Sequence, residues 1–145
     1  MSRIEVAASC FKDGFSCSQA VFSTYATQLG LNHEAALKIA GAFGGGMGHM
    51  GETCGAVTGA FMVIGLRYGR TIAGDRQSQD KTDSLVNEFV NRFKSRNVSI
   101  VCKELLGCDL STPEGTNMAK ERNLFATICP EFVQDAAEII EQILE

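Results

Sequence analysis

The chain has 145 residues, 45% of them hydrophobic and 21% charged, which fits one globular helical domain over residues 1–145 and excludes a disordered chain. Lys and Arg number 13 against 17 Asp and Glu, for a net charge of −4. With no basic block, nucleic acid and an anionic membrane surface are not expected partners.

Ile4, Ala7, Ala8 and Phe11 recur at i, i+3, i+4 and i+7 and predict a first helix, ended by Lys12-Asp13-Gly14. Ser16 and Gln19 match a capping box, so a second helix starts there and Cys17 lies in its first turn. Ala20, Val21, Thr24, Tyr25 and Leu29 point inward, and Gly30 ends that helix. Asn32 caps a third helix with Leu37, Ala40 and Phe43 as its apolar stripe. A glycine loop, Gly44 to Gly51, follows.

From Gly41 to Leu66 there is no Lys or Arg, and Glu52 is the only carboxylate. Thr53 is a good N-cap, which places Cys54 at the first helical position. The partial positive charge of a helix start favours a thiolate there, with a pKa well below about 8.5. Gly55, Ala56, Thr58, Gly59 and Ala60 thin this helix for close approach, either within the chain or against a second copy in a homodimer. The helix continues to about Tyr68.

Gly69 to Gln77 reads as a loop. A long helix over roughly Gln79 to Arg96 buries Leu85, Val86, Phe89, Val90 and Phe93. Ser99 caps a short helix, Ile100 to Leu106, with Cys102 at its third position and Gly107 at its end. Asp109 to Asn117 is mostly loop, and Met118 to Phe125 a further short helix. Pro130 suits the first position of a last helix, with Cys129 as its cap and Val133, Ala136, Ala137, Ile140 and Leu144 facing the core. No segment alternates with period two. The expected fold is all-α, a compact bundle of about six to eight helices around the small-residue helix.

The start, MSRIEVAASCFKDGF, has no continuous apolar stretch of the kind a signal peptide carries. The uncharged run from Thr53 to Leu66 is short of the roughly 18 residues a membrane span needs. No membrane insertion and a cytoplasmic location are expected.

Six cysteines are present, with no CxxC pair to suggest a zinc ribbon or thioredoxin motif. Cys17, Cys54, Cys102 and Cys129 each fall at or within a turn of an expected helix start, while Cys10 and Cys108 do not. Convergence of the four starts would stabilise thiolates. These suit thiol–disulfide exchange, or binding of a soft metal ion or iron–sulfur cluster. Taken singly, each cysteine also fits core packing, as in a non-catalytic helical interaction module. Gly45, Gly46 and His49 are candidate cofactor-binding residues. The loop's backbone N–H groups can cradle an anion, and His49 can serve as ligand, base or neighbouring cation. The loop lacks the Gly-Lys-Ser/Thr ending of a phosphate loop, which disfavours nucleotide.

Cys54 to Gly59 reads CGAVTG and resembles the CGAxxG signature of the C_GCAxxG_C_C family of redox-active bacterial proteins. Cys17, Cys54, Cys102 and Cys129 match that family's cysteines in order. GFSCSQAV, GGGMG, CKELLG and CPEFV supply matching context over nearly the whole chain. The resemblance implies a small redox protein with a metal or iron–sulfur group at these four cysteines and a redox protein partner. Cys54 is then the leading nucleophile and Cys17 its partner.

Overall fold

A computed structural model describes residues 1–145. Its nine helical segments are α1 (Arg3–Lys12), α2 (Cys17–Gln28), α3 (His33–Ala40), α4 (Gly55–Tyr68), α5 (Arg76–Asn97), α6 (Cys102–Leu106), α7 (Pro113–Glu121), α8 (Leu124–Thr127) and α9 (Cys129–Leu144). The last-but-one, α8, is a single turn. There is no strand, only one antiparallel bridge between Thr53 and Val101. The all-α expectation is met, and no helix is long and apolar enough to cross a membrane.

Local chemistry sets most starts. Ser2 with Glu5 and Ser16 with Gln19 form complete capping boxes on α1 and α2. Asn32 caps α3 through the Ala35 N–H. Several starts differ from expectation. Asp75 accepts from the Ser78 N–H at 3.1 Å, so α5 begins at Arg76, inside the expected loop. Thr112 accepts from the Gly115 N–H at 3.0 Å and Pro113 takes the first position, so α7 occupies residues expected to be loop. Ser99 does not cap α6. Its hydroxyl accepts from the Val101 N–H at 3.0 Å, and Ile100 and Val101 stay outside the helix.

One cluster of 30 buried hydrophobic residues takes members from all nine segments. The small-residue helix α4 packs against α2, α5 and α9, so its thin face is used within the chain. A Cβ on Gly59 would stand 3.0 Å from the Ser18 carbonyl oxygen and 3.2 Å from the Val21 Cβ. A Cβ on Gly55 would stand 3.1 Å from the Ser18 amide nitrogen and 3.3 Å from the Cys17 Cβ. Phe61, Phe89, Phe93 and Phe132 form a ladder with centroids 6.0, 5.9 and 6.3 Å apart, joining α4, α5 and α9. Arg96 of α5 pairs with Asp135 at 3.1 Å and Glu138 at 2.6 Å on α9.

Gly59→Val should push α2 away from α4, because backbone rather than a flexible side chain lies opposite. Overpacking of this kind costs about 1–3 kcal/mol. Thermal unfolding should show a lower Tm; an unchanged Tm would mean the two helices have slack between them.

Candidate functional site

Four cysteines are brought together by four different helix starts. Cys17, Cys102 and Cys129 are the first residues of α2, α6 and α9. Cys54 is the N-cap of α4 itself, one place earlier than expected, because Thr53 is drawn into the bridge with Val101. That bridge is flanked by hydrogen bonds from the Cys54 N–H to Ile100 at 2.7 Å and from the Cys102 N–H to Glu52 at 2.6 Å. The short pairing sets the Cys54 and Cys102 segments side by side. Cys102 is therefore at the first position of its helix, not the third.

The four cysteines line one cavity of about 110 Å³, together with Ser16, Gly45, Gly46, His49 and Gly55. All the residues singled out from the sequence as candidate ligands or nucleophiles thus face a shared space. Sequence reasoning missed the rest of the wall: Phe11, Leu105, Leu106, Leu110, Phe125 and Phe132. Only Phe11 carried a signal, as part of the apolar face of α1. The wall contains no Lys, Arg, Asp or Glu. Cys10 and Cys108 stand outside the cavity and, like the other four, are free thiols.

The glycine loop forms one side. Gly45, Gly46, Met47, Gly48 and His49 are consecutive left-handed residues, with φ of 66°, 73°, 68°, 62° and 62°. Gly46 has a second reason to be glycine: a Cβ there would lie 2.6 Å from the Glu52 amide nitrogen and 2.7 Å from the Cys102 Cβ. The His49 ring rests on Gly45, where a Cβ would meet the ring Cγ at 2.7 Å. Met47 and His49 hold left-handed backbone without the glycine exemption. Such strain persists only when the surroundings impose it. Here the Gly51 and Glu52 N–H groups bond back to Gly45 and Gly46 at 3.1 and 2.9 Å and close the loop.

Electrostatics overturn the expectation of an activated thiolate at Cys54. Burial pushes its thiol up to about 11, against the lowering effect of the Ala56 and Val57 N–H groups. Cys54 is only 4% exposed, and desolvation outweighs the helix start. Burial pushes Cys102 up to about 12, with the neighbouring sulfurs of Cys54 and Cys129 adding to it. Cys17 and Cys129 split. The neighbouring Cys129 and burial hold the Cys17 thiol well above the ordinary range, while the neighbouring Cys17 lowers Cys129. Cys129 is the sulfur that ionises first.

A four-thiol donor set matches the chemistry of soft metals and iron–sulfur clusters. The arrangement does not fit one: no group of three or more His, Cys, Asp or Glu side chains is placed to hold a metal ion. Every buried side-chain nitrogen and oxygen already has a hydrogen-bond partner, which leaves the four sulfurs and the exposed His49 ring as the cavity's unused chemistry.

The fold and site define a small all-α protein with a shared cysteine cavity. The chain belongs to the family described as "Putative redox-active protein (C_GCAxxG_C_C)", whose model matches residues 15–143. No curated protein and no solved structure matches the chain.

The raised thiols have a consequence for stability. Folded, Cys54 and Cys102 keep their protons to about 11 and about 12; in the unfolded chain they lose them near about 8.5. Their contribution is whole below about 8.5 and is lost as pH rises through 11. Denaturant melts of the reduced protein should lose roughly 3–4 kcal/mol from Cys54 alone across this window. Cys54→Ala should flatten the decline; an equally steep one would place its cause elsewhere.

Proposed function

We propose that the chain, acting as one helical domain, is a dithiol redox protein whose working pair is Cys129 and Cys17. The observation that carries this reading is the cavity itself: Cys17 and Cys129, from the starts of α2 and α9, line it together with Cys54 and Cys102, and the two influence each other's ionisation. It supplies a thiolate and an adjacent thiol to resolve the intermediate.

The Cys129 thiolate attacks one sulfur of a substrate disulfide. The S–S bond breaks, one substrate thiolate leaves, and a mixed disulfide remains on Cys129. Cys17 then loses its proton and attacks the Cys129 sulfur, releasing the second substrate thiolate. The substrate disulfide gains two electrons, and the Cys17–Cys129 pair loses two and closes into a disulfide. A reducing dithiol partner returns the pair to thiols. Cys54 and Cys102, neutral at ordinary pH, remain beside it as a second pair. A cytoplasmic location suits this chemistry, because thiols are kept reduced there.

Limiting disulfide oxidant, followed by alkylation and peptide mass spectrometry, should find a Cys17–Cys129 crosslink as the first product. Cys129→Ser should slow the reaction at neutral pH at least about tenfold. A first crosslink between Cys54 and Cys102, or none within the chain, would remove the assignment.

A metal or iron–sulfur group is the second reading. It is favoured by four thiols around one cavity whose wall offers no Lys or Arg to balance negative charge. Cys17, Cys54, Cys102 and Cys129 would have to stand closer together than they do here to hold the group. It would supply electron storage or a structural tie. Protein purified without oxygen should then contain iron or zinc near one equivalent or more. Fully folded protein free of both metals would exclude this reading.

A further inference from the structure

A second concavity adjoins the cysteine cavity. It is a groove of about 520 Å³ between the end of α1 and the α8–α9 junction. Phe11 and Phe125 line both spaces, so the two are separated by a pair of aromatic side chains. Both rings belong to residues only partly buried. Pro130, the residue after Cys129, forms part of the groove wall. The groove therefore lies on the approach to the sulfur that ionises first.

Its chemistry is selective. The wall is apolar apart from Lys12 and Asn123, and Lys12 is its only charged side chain. Lys12 is exposed and pairs with no carboxylate of the chain, although the chain is acidic overall. Asn123 holds a left-handed backbone at φ 56°, and its side chain makes no capping hydrogen bond. An unpaired ammonium and a free amide beside two aromatic rings suit an apolar or aromatic body bearing a carboxylate. The volume is that of a small-molecule site.

We propose that this groove binds the substrate disulfide, and that the substrate is a low-molecular-weight disulfide carrying a carboxylate. Lys12 and Asn123 hold the carboxylate, while Phe11 and Phe125 flank the S–S bond on its way to Cys129. The inference rests on the dithiol reading above and deepens it. The bond changes are those already given: the small disulfide is the oxidant, and its two thiolates are the leaving groups.

The test compares two small disulfides on the reduced full chain by stopped flow. One is 5,5′-dithiobis(2-nitrobenzoate), which carries a carboxylate on each ring. The other is 4,4′-dithiodipyridine, which is neutral. Lys12→Gln should slow the carboxylated probe about fivefold, leave the neutral one within about twofold, and regain the lost rate in Lys12→Arg. Phe125→Ala should speed both probes by widening the passage. Equal responses of the two probes to Lys12→Gln, or no response, would overturn the groove assignment while leaving the Cys17–Cys129 pair standing. Failure of both probes to close that pair in the wild-type chain would overturn the two proposals together.

Discussion

The contact on which the site depends is the one between the first turns of α2 and α4. Cys17 and Cys54 belong to helices that begin far apart in the chain, and they can share a cavity only if those helices nearly touch. Gly55 and Gly59 permit this by leaving the α4 surface bare where the Ser18 backbone crosses it. Ser18 is fully buried there and donates its hydroxyl to the Ala40 carbonyl at 2.8 Å, which ties the crossing to the end of α3. After α3 the chain enters the left-handed loop. That loop returns to pair with the segment before α6, and the pairing delivers Cys102. The fourth sulfur arrives on α9, which packs on both α2 and α4.

Once the sulfurs are assembled, two effects compete. Helix starts favour negative charge, with a strength of roughly 0.3–1 kcal/mol each where water screens them. Burial in an apolar wall disfavours it more strongly. At Cys54 and Cys102 burial wins, and the thiols stay neutral. At Cys129 the neighbouring Cys17 thiol reverses the balance. The cavity therefore gives four cysteines of similar helical position different characters. The apolar surroundings set the baseline, and one neighbouring thiol sets the exception.

What could be read from the residues was the part governed by neighbours in sequence. Ser16 with Gln19, and Asn32 before Glu34, announce helix starts because capping is a matter of three or four residues. Cys17, in the first turn after Ser16, could be located for the same reason. The displaced starts are of two kinds. Thr53 is pulled from its capping role by Val101, 48 positions away, and Ser99 turns to serve its own arm. Asp75 and Thr112 cap through neighbours three residues on, but they lie beside Gly74 and Pro113, residues that equally favour a loop. The sign of the Cys54 shift could not be foreseen, since it depends on walls supplied by α6, α8 and α9. Nor could the separation of the sulfurs, which decides whether they can ligate one ion.

The opposite shifts of Cys17 and Cys129 would also set a ratio of protons to electrons. Between the ionisation of Cys129 and that of Cys17, the two sulfurs together hold a single proton. Closing them into a disulfide then releases one proton for two electrons, and the midpoint potential moves by about 30 mV per pH unit. Two ordinary thiols would release two protons and move by about 59 mV. As the proposed redox couple, the pair would, wherever Cys129 is ionised and Cys17 is not, change its reducing strength with pH about half as much as an unpaired dithiol.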